Sequence, residues 1–302
     1  MAERIAVIIP CHNEATSVGK VVRDFRAALP EARIIAIDND SQDETARLAG
    51  EAGAEVLIET RRGKGFALVR GFREAKDADI LIMVDGDDTY PAEDAPLLVA
   101  ALRDGADMTI GTRLETFTAD AYPAFHHLGN RIFALLVRIL FGVRTTDLFS
   151  GYRAMTRRFL EQCPLIAQGF EVETELSLQA LVGHFKVREV PIHYRARPAG
   201  SRSKLRTTHD GARILIAMLA FFRDYRPLTC FGLVSLFLAS LGLIAGLVVT
   251  SEYLRTGLVL RIPLAILSVG LLILSGMSAI AGLILSSVSR RANELAALIA
   301  RR

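Results

Sequence analysis

"ADILIMVDGDDTY", Ala78 to Tyr90, decides how the chain is read. Its first half is an unbroken apolar run, and its second half packs Asp85, Asp87 and Asp88 into four positions. A short apolar run without alternation fits a strand covered on both faces, as in a parallel sheet. Carboxylates at the end of such a strand are costly unless something compensates them. A hard divalent cation, Mg²⁺ or Mn²⁺, does so through oxygen ligands and keeps room for phosphates. An Asp-x-Asp element therefore suits a diphosphate leaving group, whose developing charge the metal offsets. The same pattern also occurs in solvated loops, so its surroundings must decide.

Working outward, "RIAVIIP", "ARIIAID", "AEVLIE", "DILIMVD" and "DMTIGT" read as strands. Between them Ala15–Leu29, Gln42–Ala52, Lys64–Lys76 and Ala92–Arg103 have helical length and pattern. Strand and helix in alternation predict an α/β domain with a mostly parallel, Rossmann-like sheet. Ligands of such sheets lie beyond the carboxyl ends of the strands. The polar residues collect there: His12, Asn13 and Glu14, then Asp38 to Asp43, Arg61 to Lys64, and Asp85 to Asp88. "RRGKGF" places glycines around Lys64 but is no P-loop, and no GxGxxG or GxxxxGK[ST] element supports dinucleotide or P-loop binding.

Beyond residue 111 the pattern changes. Leu128–Phe141 and Gly211–Arg226 are apolar helices with basic residues, suited to a membrane interface. The second is expected to present Ile214, Met218, Phe221, Phe222 and Tyr225 together. A helix over Phe170–Val182 and a strand "KVREVPIHY" lie between them, followed by the basic loop "RARPAGSRSKLR". That loop, just before the apolar segment, is placed to hold an anion at a lipid surface.

Of the chain's 302 residues 51% are hydrophobic, and the excess is concentrated near the C-terminus. Leu228–Thr250 and Ile262–Val288 are each long enough to cross a hydrocarbon core of ~30 Å. Glu252, Arg255 and Arg261 sit in the connector between them. Arg223 and Arg226 before the hairpin, with Arg290, Arg291, Arg301 and Arg302 after it, predict both termini in the cytoplasm of an integral membrane protein. The expected organisation is a catalytic domain over 1–206, a juxtamembrane helix over 207–227, a hairpin over 228–289 and a basic tail over 290–302. Three scattered cysteines give no disulfide framework or CxxC spacing. A net charge of +3 gives no ground for a nucleic-acid partner. Gly242 with Gly246, and Ser278 with Gly282, are small-residue pairs that suit either packing within the hairpin or a homo-oligomer.

"VIIPCHNEA", "IDNDSQDET", "GKGFALVRGF", "MVDGDDTYPAED" and "IGTRL" occur in order, and together they resemble the family 2 glycosyltransferases with the GT-A fold. "LGNRIFALLVRILFG", "TDLFSGYRAM", "GFEVETEL", "RPAGSRSKL" and the terminal hairpin look like the polyprenyl-phosphate (dolichol-phosphate-type) mannosyl- and glucosyltransferases. The resemblance implies inverting transfer of a hexose from a nucleotide sugar to the phosphate of a long isoprenoid. It favours a UDP-hexose over GDP-mannose as donor. By the same resemblance Pro10, His12, Glu14 and Asp38 hold the nucleoside, with Lys64 nearby, and Asp85 and Asp87 bind metal and diphosphate. Arg113 and Arg131 receive the acceptor phosphate; Arg197, Ser203 and Lys204 close over both phosphates. Glu173 takes a supporting polar role or lies on a helix surface; Asp88 is structural or faces solvent. The family often reads Asp-Asp-Gly-Ser where this chain has Asp38, Asn39, Asp40 and Ser41, and some relatives place Gln at Thr89. His126 and His127 stand where relatives commonly have arginine. A transferase acting on another lipid acceptor, and a non-catalytic sugar-nucleotide-binding membrane module, are the competing expectations.

Overall fold

The computed structural model describes residues 3–113, 135–140, 146–163, 165, 169, 171–196 and 207–299. Side chains are described at these positions other than 182, 207–214, 217 and 292–299. Arg131, Arg197, Ser203 and Lys204, and with them His126 and His127, lie outside the described residues.

Strands β1 (Ile5–Cys11), β2 (Arg33–Asp38), β3 (Glu55–Ile58), β4 (Ile80–Met83), β5 (Met108–Thr112), β6 (Arg153–Thr156) and β7 (Val187–Pro191) form one sheet in the order β3-β2-β1-β4-β6-β5-β7. Pairings β1–β2, β2–β3, β1–β4 and β5–β7 are parallel, while β6 runs antiparallel to both its neighbours. Helices α1 (Val18–Ala28), α2 (Thr45–Glu51), α3 (Lys64–Glu74), α4 (Ala95–Arg103), α5 (Arg157–Gln162) and α6 (Val172–Val182) fill the connections.

Both faces of the sheet are covered, as the apolar runs require. In β1, Val7, Ile9 and Cys11 enter one core with α1 and α4, while Ala6 and Ile8 enter the other with α3, α5 and α6. Period-two alternation sends successive side chains to opposite faces, so a strand buried on both reads as continuously hydrophobic. β4 is buried at all of its positions. The unforeseen strand β6 is short, and its register pairs Met83 with Arg153 and Ile110 with Arg153. Its antiparallel direction brings its starting end to the edge where β1, β2, β4 and β5 finish.

Residues 1–217 and 218–302 form two compact units. Helix α7 (Thr207–Tyr225) spans the division between them. It buries Met218 and Phe222 and exposes Leu215, Ile216 and Leu219, so the face expected to be presented is in part the buried one. The helix is apolar around more of its circumference than its spacing alone indicated.

In the second unit α8 (Pro227–Thr256) and α9 (Ile262–Ile299) form an antiparallel hairpin. Both are long and apolar enough to cross a membrane, and their side chains are largely exposed. The helices overrun the expected spans: Glu252 and Arg255 belong to the end of α8, and α9 continues through residue 290 to Ile299. Gly257, with φ of 68°, ends α8 in the left-handed region. Small residues draw the helices together. Ser268 Oγ donates to Gly242 O at 2.8 Å, Ser275 Oγ to Ser235 O at 2.9 Å, and Ser278 Oγ to Phe231 O at 2.9 Å. A Cβ on Gly282 would meet Phe231 Cβ at 2.9 Å.

Candidate active site

The polar residues found at the strand ends in the sequence come together at one edge of the sheet. Asp85 and Asp87 follow β4, and Ser17 Oγ of the α1 approach donates to Gly86 O at 2.7 Å, tying this loop to the one after β1. Asp87 is buried and accepts from Thr89 Oγ1 at 2.6 Å. Asp88, at φ 58°, turns to an ion pair with Lys20 at 2.8 Å.

Lys64, the first residue of α3, lies between two acids. Its ammonium donates to Asp85 Oδ1 and, at 2.5 Å, to Glu173 Oε1 on α6. Glu173 is only 4% exposed, so it is no surface glutamate. Its Oε2 has no hydrogen-bond partner among the described residues. Burial pushes Glu173 up from its usual carboxyl value, against the opposing pull of Lys64. Burial would likewise lower Lys64, but Asp85 and Glu173 outweigh it and hold the ammonium charged. Gly151 makes the close approach possible, because a Cβ there would fall 2.8 Å from Asp85 Cγ.

The loops after β1, β2 and β3 meet through Asn39. Its backbone N–H donates to Cys11 O, and its carbonyl accepts from His12 Nδ1 at 2.8 Å. Its side-chain amide donates to Glu59 O at 2.9 Å and Arg61 O at 2.7 Å, and its Oδ1 accepts from Gly63 N at 2.7 Å. A carboxylate cannot make those two donations. This explains why asparagine stands in the second position of "DNDS". Gly63, at φ 140°, then turns the chain into α3. Arg62 Nη2 donates to His12 Nε2 at 2.6 Å, which fits an Nδ1–H imidazole. Asp38 is buried, accepts from Ser41 N at 3.4 Å through Oδ2, and leaves Oδ1 without a partner among the described residues. Glu14 is nearly buried and accepts from Ser17 Oγ at 3.4 Å, while Pro10 lies in β1 opposite Ile37.

Arg113, at the end of β5, is gripped by the buried Asp147: Nε to Oδ2 and Nη2 to Oδ1, each at 2.7 Å. Burial works to raise the Asp147 carboxyl, and the Arg113 guanidinium overcomes it and holds it below its usual range. The two-pronged side of the guanidinium that was expected to meet a phosphate therefore faces a protein carboxylate. Asp147 and the buried Arg153 were not singled out from sequence, and Asn39 was marked only as a departure from the family's Asp-Asp-Gly-Ser. The only signal for Asp147 and Arg153 was their presence in "TDLFSGYRAM".

The donor set at Asp85 and Asp87 fits a Mg²⁺ or Mn²⁺ ion that completes its shell with substrate oxygens. Two carboxylates are present, and no group of three or more metal-binding side chains occurs among the described residues. Magnesium sites built on one or two carboxylates plus phosphates have this character, unlike all-protein cages.

The family model described as "Glycosyl transferase family 2" matches residues 6–163. The chain belongs to glycosyl transferase family 2, and the layout of its sheet is the GT-A fold. Among curated relatives, glycosyltransferase AglJ of Haloferax volcanii is 32% identical over 251 residues, covering 83% of this chain and 82% of the relative. The dolichyl-phosphate hexose transferase of the same organism is 31% identical over 211 residues, covering 70% of this chain and 90% of the relative. Among solved structures, glucosyl-3-phosphoglycerate synthase from Mycobacterium tuberculosis with Mn²⁺, UDP and phosphoglyceric acid aligns with a TM-score of 0.62. It is 22% identical, covers 73% of this chain and 79% of that one, and is a likeness of fold.

Proposed function

We propose that the protein transfers a hexose, with inversion, from a nucleotide sugar to a polyprenyl phosphate. The observation that carries this reading is the buried Lys64 bridge between Asp85 and Glu173, at the strand edge of a chain that also contains an apolar hairpin. The name of the dolichyl-phosphate hexose transferase relative supports the acceptor class.

In this reading Asp38, with its unpartnered Oδ1, and Pro10, His12 and Glu14 hold the nucleoside. Asp85 and Asp87 hold Mg²⁺ or Mn²⁺, which when bound offsets charge on the diphosphate. An acceptor phosphate oxygen attacks the anomeric carbon as its bond to the diphosphate oxygen breaks. The electron pair leaves with the nucleoside diphosphate, and the new bond forms on the opposite face of the sugar. A phosphate monoester is largely ionised near neutrality, with a second pKa of about 6, so it needs orientation more than a strong base. Glu173 and Lys64 fix Asp85 on the donor side. Arg131, Arg197, Ser203 and Lys204 are assigned to the phosphates by family resemblance, and Arg113 shapes the site through Asp147. The hairpin lies in the bilayer with both termini cytoplasmic, and the exposed apolar face of α7 meets the lipid surface.

The test is incubation of membranes containing the full chain with radiolabelled UDP-glucose, UDP-N-acetylglucosamine or GDP-mannose and polyprenyl phosphate, with and without Mn²⁺. Metal-dependent formation of labelled polyprenyl-phosphate sugar, with UDP-glucose or UDP-N-acetylglucosamine preferred and lost in Asp87→Ala, is expected. Label passing only to a glycolipid acceptor, or full activity in Asp87→Ala, overturns the reading.

A further inference from the structure

Arg153 is a cation with 0% of its surface exposed, yet it has no carboxylate within ion-pairing distance among the described residues. Its Nε donates to Ser150 O at 2.9 Å, Nη2 to Leu148 O at 2.8 Å and Nη1 to Ser177 Oγ at 2.8 Å. These acceptors are neutral. Removing a guanidinium from water without a carboxylate in hydrogen-bond contact is expensive, and such charges are kept where opposite charge lies nearby.

Besides Met108 Sδ at 3.9 Å from Nη1, these acceptors lead toward Asp147, Asp85 and Glu173. Leu148 adjoins Asp147, and Ser150 adjoins Gly151, on which Asp85 is packed. Ser177 donates in turn to the backbone carbonyl of Glu173 at 3.0 Å. Burial pulls Arg153 down to about 10, and Glu173 and Asp147 act against that fall, which marks them as the countercharges felt across the interior. The guanidinium is thus clamped by acceptors that cannot neutralise it, while its charge is felt by Glu173 and Asp147.

We propose that Arg153 is a positioning residue for the diphosphate site: its hydrogen bonds fix the 147–151 loop against α6, and its buried charge sets the balance between metal and diphosphate binding. This rests on the reading of Asp85 and Asp87 as the metal and diphosphate ligands. Removing the charge makes the acid cluster more negative. A divalent cation alone then binds more tightly and a nucleoside diphosphate less tightly. A purely structural role would weaken both or change neither.

The experiment uses the full chain with Arg153→Gln and Arg153→Lys, and Arg153→Met as a second neutral variant should the first not fold. Mn²⁺ alone is titrated by electron paramagnetic resonance, and UDP and GDP are titrated at saturating Mg²⁺ by calorimetry. The neutral variant is expected to bind Mn²⁺ on the order of fivefold more tightly, and the diphosphate on the order of fivefold more weakly. The lysine variant, keeping the charge, is expected to stay near wild type in both. Parallel changes in the neutral variant, or no change, overturn the inference while wild-type binding leaves the diphosphate reading standing. So does a lysine variant that behaves like the neutral one, or neutral variants that both fail to fold while the lysine variant folds with wild-type affinities. A wild-type chain that binds neither Mn²⁺ nor a nucleoside diphosphate overturns that reading, and the inference with it.

Discussion

Lys64 Nζ lies 2.5 Å from Glu173 Oε1, joining the first turn of α3 to the first turn of α6 across 109 residues of chain. The same ammonium holds Asp85. Removing it leaves the buried Glu173 carboxylate facing the partly exposed Asp85 with no cation between them. Lys64→Met is therefore expected to lower stability by about 3 kcal/mol, the scale for breaking one side of a buried ion pair. Turnover should fall with it. Chemical denaturation and a sugar-transfer assay check the two effects, and a variant as stable as wild type would contradict the bridge.

Gly151→Ala tests the space in front of Asp85. The added methyl would sit 2.8 Å from Asp85 Cγ, closer than carbon atoms pack, so carboxylate or loop must shift. Displacement of about 1 Å at a reacting centre costs on the order of 100-fold in rate. We expect that loss with circular dichroism unchanged; undiminished kcat would show that Asp85 has room to retreat.

The Arg113–Asp147 fork makes a pH-dependent prediction. The folded Asp147 carboxyl titrates below its usual range because Arg113 outweighs burial. Its stabilisation is therefore complete above the unfolded value of about 4, and is lost as pH falls through the lower folded value. Asp147→Asn should cost about 3–5 kcal/mol at pH 7. The gap between variant and wild type should narrow in acid. Urea midpoints measured at pH 7 and pH 3 decide this, and a gap of constant size would count against the fork.

The hairpin depends on small residues. Gly282→Leu would drive a side chain into Phe231 and the backbone of Leu228. Cysteines placed at positions 231 and 278 should cross-link readily in the parent chain and poorly in the leucine variant. Equal cross-linking would mean that the helices pack through another face.

The strand ends and their acids were legible because a buried parallel strand writes itself as a continuous apolar run, and its loop follows at once. β6 was not, since Arg153–Thr156 is short and begins with a charge. Glu173 stood undecided between surface and site for a related reason. Helix α6 buries Val172, Leu176, Leu178 and Ala180, and also Glu173, Thr174, Glu175, Ser177 and Gln179. A helix covered on every side has no polar stripe to mark which of its acids face water. Arg113 showed the opposite difficulty: a sequence displays an arginine that suits phosphate, and does not display the aspartate 34 residues later that reaches it first.

Ser268, Ser275 and Ser278 of α9 turn their hydroxyls toward α8, where the Gly242, Ser235 and Phe231 carbonyls receive them. What faces outward is mostly leucine, isoleucine and valine, with Phe237, Tyr253 and Met277 among them. Lipid tails greet such a surface as readily as another helix does, so lateral encounters between copies through these outward faces gain little. With the hairpin in a bilayer, as proposed, the pair would thereby be sociable with itself and indifferent to its neighbours, a bearing suited to the proposed enzyme if it drifts to a dilute lipid substrate rather than clustering.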